Sequence, residues 1–278
     1  MNTEKKTIVL GEPITMEQFI AVCREGAQVE FSHDYCRRGD KSRQLVERWV
    51  DEEKVMYGVT TGFGALCTKA ISKEETAKLQ ENIILSHSVS LGEPLSIERV
   101  RGIMLMILQN LGQGYSGVRL ELLEQYRQFL NRGLTPWAPG DGSVGYLSPE
   151  AHMALVLIGR GKAYYQGELL PGDQALKKAG LEPITLSSKE GLALVSGTTS
   201  ATAALGLYDF QKAAKSADIV GAMSLEALKG VMNAFDERVM QVRPHADQGD
   251  TAENVRRILA GSGIIEKYQG HRVQAALS

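Results

Sequence analysis

Two glycine-rich loops hold the residues best placed to do chemistry. The first is Tyr57-Gly58-Val59-Thr60-Thr61-Gly62-Phe63-Gly64, three glycines in eight residues opened by a tyrosine. Such a loop can close over a pocket, and a phenol at its start can take or give a proton. The plainer reading is a structural turn with Tyr57 packed as a core aromatic. The second loop is Gly142-Ser143-Val144-Gly145, which leads into Ser148-Pro149 and an apolar stretch. Ser148 suits an N-cap, and Pro149 suits a first helical residue. A buried helix N-terminus presents unpaired N–H groups and positive potential, so this loop suits an anion or an electrophile. Its plainer reading is a tight turn that needs glycine.

Other chemistries find little support. His33, His87, His152, His245 and His271 are scattered, and none makes the i, i+4 pair of a helical zinc site. No pair of cysteines brackets a metal, and no Walker-type phosphate loop is present. A metal is therefore not expected.

The elements that must position these loops alternate short strands with helices and then become mostly helical. Val29-Glu30-Phe31 reads as a strand, Ser42 to Glu53 as a charged helix, and Lys54 to Val59 as a short strand entering the first loop. Ser72-Lys73-Glu74-Glu75 is a capping-box pattern that predicts a helix to about Ser86. Ile97 to Leu111 and Val118 to Leu130 have helical apolar spacing, ended near Gly112 and Gly133. Glu150 to Ile158 is a buried helix, Lys162 to Leu170 a hairpin, and Ser187-Ser188-Lys189-Glu190 a second capping box. From Thr199 the pattern is helical, with Ala201, Ala203 and Ala204 allowing close packing.

The chain of 278 residues carries a formal net charge of -2, which offers no basic excess for nucleic acid. Cys23, Cys36 and Cys67 are odd in number and unpaired in spacing, which fits a reducing compartment. The apolar run Thr7 to Leu10 is too short for a signal-peptide core, and no run reaches membrane-spanning length. The expectation is a soluble, cytoplasmic protein with a small-molecule ligand and neither a nucleic-acid nor a membrane partner.

In order along the chain, several blocks together resemble the histidine/phenylalanine ammonia-lyase family. They are Tyr57 to Gly64, Leu79-Gln80-Glu81-Asn82, Ser86-His87, Gly92-Glu93-Pro94-Leu95, Val118-Arg119-Leu120-Glu121 and Gly142 to Gly145. Ala151-His152-Met153-Ala154-Leu155, Ala179-Gly180-Leu181-Glu182-Pro183, Lys189-Glu190-Gly191-Leu192-Ala193-Leu194 and Arg272-Val273-Gln274 continue the series. The resemblance covers nearly the whole chain but only the first half or so of a family subunit. It implies a mainly α fold of ammonia-lyase type. Residues 1–198 would be a mixed α/β domain carrying the active-site loops, and residues 199–278 the start of a long-helix bundle, which reads as interrupted at Ser278. It also implies a homotetramer whose active sites draw on three subunits, with a separate chain possible for the second half.

The chemistry implied is elimination of ammonia from an aromatic or imidazole amino acid; an aminomutase of the same family, or a non-catalytic relative, is the alternative. Family members cyclise Ala-Ser-Gly to 4-methylideneimidazole-5-one, an electrophile that the substrate amine adds to. By resemblance Tyr57 is the general base. Gly64, Ser86, His87, Ser196 and Gln274 bind substrate, and Gly145 and Tyr146 flank the cofactor. Ser86-His87 is similar to the histidine-specific branch, since an imidazole substrate wants a hydrogen-bonding partner.

The departures are specific. After Gly145 the family continues Ala-Ser-Gly-Asp-Leu-Ala-Pro, whereas this sequence continues Tyr146-Leu147-Ser148-Pro149. Aligned on the proline, the absent residues match the cofactor triad. Two explanations stand: a cyclised group that a string of standard residues does not show, or a true loss. The coincidence of the gap with one chemical unit favours the first. Ser196 occupies the place of a family asparagine, Leu277 that of a tyrosine, and the carboxylate-gripping arginine lies past Ser278.

Overall fold

The computed structural model describes residues 6–61, 73–142, 149–196, 200–242 and 245–273. The chain is mainly helical with small sheets and divides into two compact units, residues 1–205 and 206–278.

In the first unit, strands Thr7–Leu10 (β1) and Gln28–Phe31 (β2) pair in parallel, joined by helix Met16–Arg24 (α1). Ile8 and Leu10 point inward, so the short apolar run at the start of the chain is a half-buried strand. α1 opens on a capping box that the sequence analysis did not single out: Thr15 Oγ1 accepts from the Gln18 N–H, and Gln18 Oε1 accepts from the Thr15 N–H. Helix His33–Asp51 (α2) follows, then Lys73–His87 (α3) and strand Leu91–Pro94 (β3). Helices Ile97–Leu111 (α4) and Leu120–Arg132 (α5) come next, then the short strands Thr135–Pro136 (β4) and Pro139–Asp141 (β5). Helix Glu150–Leu157 (α6), the hairpin Lys162–Tyr165 (β6) and Glu168–Pro171 (β7), and helices Gly172–Lys178 (α7) and Glu190–Val195 (α8) complete this part. β3 pairs antiparallel with β5, and β4, β6 and β7 form a separate three-stranded sheet.

α4 and α5 hold the core. Ile103, Met104, Leu105 and Leu108 on α4 and Leu122, Tyr126 and Phe129 on α5 are essentially buried, and each such side chain contributes about 1.5–3 kcal/mol. A cation sits among them. Arg101 is buried and donates from Nε and Nη2 to the Val22 carbonyl and from Nη1 to the Leu130 carbonyl. Both acceptors lie in the last turns of helices, α1 and α5, where carbonyls lack intrahelical partners and the dipole favours a cation. Nearby, burial pushes the Cys23 thiol up to about 12, which leaves it an inert core group.

Tyr35 fixes α2 on this core. Its hydroxyl donates to the Leu108 carbonyl at 2.8 Å, and its ring stacks on Phe31 at 4.3 Å. Position 112, the C-cap of α4, takes only glycine because that ring occupies the space: a Cβ there would lie 1.8 Å from Tyr35 Cε2. Gly112 has ordinary right-handed angles, so the requirement is steric. Gly133, which ends α5, is the opposite case, with φ +73° and open space around it.

Three expectations shift. Lys54 to Val59 forms no strand; the N–H groups of Val59, Thr60 and Thr61 all converge on the Met56 carbonyl, and this local turn uses the donors a ladder would need. The charged helix begins at His33, capped by Ser32, well ahead of Ser42. Gly39, inside this helix, lies under Leu120, whose Cδ2 would stand 3.0 Å from a Cβ there. The Ser187 capping box forms only in part. Glu190 accepts from the Ser187 N–H, but no side chain caps α8, whose N-cap Lys189 is left-handed at φ 71°. Ser72 and Ser148, the other expected caps, lie outside the described residues.

Helix Ser200–Ala227 (α9) leads from the first unit into the second, which continues with a 3-10 turn at Met232–Phe235 and helices Glu237–Gln241 (α10), Ala246–Ile258 (α11) and Gly263–Tyr268 (α12). Ala222, Val255 and Leu259 form its small core, flanked by Leu225, Met232, Phe235 and Ile265. Among the described residues no helix is long and apolar enough to cross a membrane.

The two glycines separate steric from conformational demand. Gly133→Ala should cost about 1–2 kcal/mol, the left-handed penalty. Gly112→Ala should cost more, because the Tyr35 ring must move and release the Leu108 carbonyl. Urea denaturation of both variants checks the order; equal losses would refute the steric account.

Candidate functional site

Glu190 organises the elements around the candidate site. Its side chain has no exposed surface. Arg119 reaches it with both prongs, Nε to Oε1 and Nη2 to Oε2, each at 2.8 Å, and also donates its backbone N–H to Oε1. The Ser187 N–H adds a bond of 2.7 Å to Oε2. Arg43 lies 4.0 Å away and donates to the carbonyls of Gly117 and Ser188 and to Ser187 Oγ. The pairing with Glu190 holds the Arg119 guanidinium above its already high ordinary range. This network fastens α2, the entry to α5 and the entry to α8 at one point.

From that anchor α8 presses on α3. The Gly191 N–H donates to Gln80 Oε1 at 2.8 Å, and a Cβ on Gly191 would stand 2.4 Å from the Gln80 carbonyl oxygen. Only glycine permits this approach. The neighbouring Lys189 is half-buried, and burial draws its ammonium below the usual lysine range. Ser196 closes α8 at the far end; it is exposed, with its hydroxyl returned to the Leu192 carbonyl at 3.0 Å.

α3 ends at the Ser86-His87 corner. His87 Nδ1 lies 2.8 Å from the Ile83 carbonyl and 3.0 Å from Ser86 Oγ, which itself donates to Ile83. A carbonyl only accepts, so the bond network assigns the proton to Nδ1 and leaves Nε2 of a neutral ring as an acceptor.

The chain beyond His87 grips both sides of the second glycine loop. Ser90 is buried; its Oγ donates to the Gly142 carbonyl at 3.3 Å, and its N–H donates to His152 Nε2 at 3.1 Å. Gly142 is the last described residue before the segment 143–148, and His152 lies on α6 just after it. The Leu91–Asp141 pairing of β3 and β5 extends the grip. Neither this use of Ser90 nor the anchoring role of Glu190 is marked by a local pattern in the sequence. Glu190 was legible as a cap and as part of a resembling block, and Ser90 carried no pattern at all.

Tyr57 stands on the turn after α2, roughly half exposed (56%), with Gly58 left-handed at φ +67°. Thr60 Oγ1 braces the turn by accepting from the Met56 N–H at 2.9 Å and donating to the Lys54 carbonyl. The structure thus brings Ser86 and His87 together and sets Tyr57 and Ser196 on separate elements. Gly64, Gly145, Tyr146 and Gln274 lie outside the described residues.

The residues present do not fit the methylideneimidazolone. Its ring forms when a glycine N–H attacks a carbonyl two residues back across a serine that then loses water. Between Gly142 and Glu150, Ser143 precedes Val144 and Ser148 precedes Pro149, which has no N–H. Among the described residues no cluster of side chains suited to a metal occurs either.

The family model described as aromatic amino acid lyase matches residues 14–278. A histidine ammonia-lyase 1 from Fusobacterium nucleatum is 49% identical over 274 residues, 96% of this chain and 53% of that protein. The ergothionase of Treponema denticola, solved with desmethyl-ergothioneine sulfonic acid, superposes with a TM-score of 0.90 at 30% identity, over 98% of this chain and 56% of its own. A histidine ammonia-lyase from Trypanosoma cruzi does so with a TM-score of 0.85 at 35% identity, over 90% and 49%. The chain spans about half the length of the curated relatives it matches.

Two measurements test this site. Glu190→Gln keeps the shape but removes the buried charge, leaving Arg119 only the exposed Glu121 and Arg43 only Glu47 as acidic partners, so stability should fall by about 3 kcal/mol; a loss below about 1 kcal/mol by urea denaturation would remove Glu190 as the anchor. His152 offers a pH test. Burial lowers its pKa below the ordinary value near 6.5, and protonating Nε2 would break the Ser90 bond. The unfolded chain then takes up a proton first as pH falls, so the contribution of His152 is complete above about pH 6.5 and declines below it. Between about pH 7.5 and 5.5 the native chain should lose more stability than His152→Leu; parallel curves would refute the neutral acceptor.

Proposed function

The chain belongs to the aromatic amino acid lyase family, and we propose on that premise that it forms the substrate-facing half of a histidine ammonia-lyase-like active site. The observation that carries the reading is the His87 corner. Its ring is held by Nδ1 against the Ile83 carbonyl, so Nε2 is left to accept from the N–H of a substrate imidazole. One such bond is worth about 0.5–1.5 kcal/mol, enough to orient a histidine-like ring rather than to bind it alone.

In this reading Tyr57 is the base that takes the β-proton. Its turn leaves the phenol about half exposed, and general-base catalysis needs the oxygen within reach of that proton. The Gly64 amide, Ser86, Ser196 and Gln274 are the remaining candidates to hold the amino acid. Ser196 offers a shorter reach and fewer donors than an asparagine would. The methylideneimidazolone, where a family member forms it, supplies the electrophile that makes the amine a leaving group. The standard residues between Gly142 and Glu150 do not form it, so the part proposed for this chain's own residues is to orient the ring and to take the β-proton. A non-catalytic partner subunit is the second reading, favoured by the missing triad and by Ser196.

Purified alone, the chain should have the intact mass of its 278 residues and release no ammonia from L-histidine. Assembled with a full-length relative whose own loop tyrosine is replaced by phenylalanine, it should restore ammonia release, and Tyr57→Phe should abolish that rescue. No rescue would sink the lyase reading and leave the non-catalytic one. Turnover by the chain alone would overturn the claim that it lacks an electrophile.

A further inference from the structure

The last turn of α3 is closed by its own residues. The Ile84 carbonyl accepts from the Ser88 N–H at 3.1 Å and from Ser88 Oγ at 2.7 Å, and the His87 carbonyl accepts from the Val89 N–H at 3.0 Å. With the Ser86 and His87 bonds to the Ile83 carbonyl, these satisfy groups that a helix end leaves without intrahelical partners. None of these bonds reaches another element. The first that does is Ser90 N–H to His152 Nε2, at 3.1 Å and across 62 positions. His152 is itself held. Ala151, Met153 and Ala154 beside it on α6 are fully buried. Its ring meets Trp137 in a T-shaped contact, centroids 6.4 Å apart, and the Lys162 ammonium stands 5.4 Å from the Trp137 ring centroid. The Trp137 N–H donates to the Lys162 carbonyl at 2.8 Å, so the ring behind His152 is tied to β6.

We propose that His152 is a positioning residue for the His87 corner. By accepting the Ser90 N–H it pins the chain three residues past His87 and keeps the His87 ring turned onto the Ile83 carbonyl. A leucine in its place would leave the N–H of buried Ser90 without that acceptor, which costs more than the bond itself contributes. The chain from Ser88 to Ser90 would then move toward water, and the bonds that close the corner would loosen with it. The value of this for catalysis rests on the reading of His87 as the residue that orients an imidazole substrate; the positioning itself does not.

The test uses the full chain with isotope-labelled histidine and nitrogen NMR at about pH 8, where imidazoles are neutral. The His87 signals are assigned by their loss in His87→Gln. In the parent, His87 should show a protonated Nδ1 and a bare Nε2, the reverse of the tautomer that a free imidazole favours in water. His152→Leu should move both signals toward those of a free ring. His152→Gln, whose Oε1 can accept the Ser90 N–H, should return them toward the parent. Signals that stay in place in His152→Leu, or that His152→Gln fails to restore while circular dichroism shows an intact fold, overturn the proposal. The Ser90 amide gives a second readout that does not need the leucine variant: it should exchange slowly in the parent and in His152→Gln, and fast exchange in the parent also overturns the proposal. In the mixed assembly with the phenylalanine-substituted relative, kcat/KM for L-histidine should fall roughly tenfold in His152→Leu and recover in His152→Gln. A parent assembly that releases no ammonia removes His87 as a substrate residue, and the ring signals then decide the role of His152 by themselves.

Discussion

A carboxylate shut away from water must be surrounded by donors to offset its lost hydration, and Glu190 shows what that demand does to a fold. Two prongs of Arg119 and two backbone N–H groups meet it, with Arg43 behind. The donors come from Arg119 and Ser187, with Arg43 behind them, so satisfying one residue fixes the entry to α5, the entry to α8 and the flank of α2 together. Solvation forces the geometry: any rearrangement that spared one element would leave a charge buried without its partner. The close approach of α8 to α3 at Gly191, and through α3 the placement of His87, follow from this anchor.

The same logic separates what was legible in the sequence from what was not. Periodicity and end signals are local properties, so α4 with its stop at Gly112 and α5 with its stop at Gly133 could be read directly. The Lys162 to Leu170 hairpin was equally plain. Long-range satisfaction leaves no such mark. Ser187-Ser188-Lys189-Glu190 looks like a cap because it has the residues of one, yet the glutamate is engaged by an arginine 71 positions away. Lys54 to Val59 has the composition of a strand but no neighbouring ladder, and the Met56 carbonyl collects its donors instead. Ser90 belongs to no motif; its importance arises only when Gly142 and His152 arrive on either side of it. The candidate site was legible through the resemblance of ordered blocks, which named His87 and Tyr57 without saying what holds them.

The segment 143–148 has a different standing from its frame. Ser90, the β3–β5 pairing and the start of α6 build a grip on both sides of it, yet its sequence lacks the residues from which relatives build an electrophile. A fold can keep its scaffold after the chemistry of one loop has changed, because the scaffold is stabilised by contacts that do not involve that loop.

Arg101 carries one more implication. A single guanidinium closes the carbonyl ends of α1 and α5 from a position inside α4. Helix ends ordinarily fray independently and exchange their amide hydrogens first. Here neither end can open without stranding the buried cation, so the last turns of α1 and α5 should open only when α4 does. The three helices then form one cooperative unit against hydrogen exchange, protected to nearly the same depth although they are far apart along the chain.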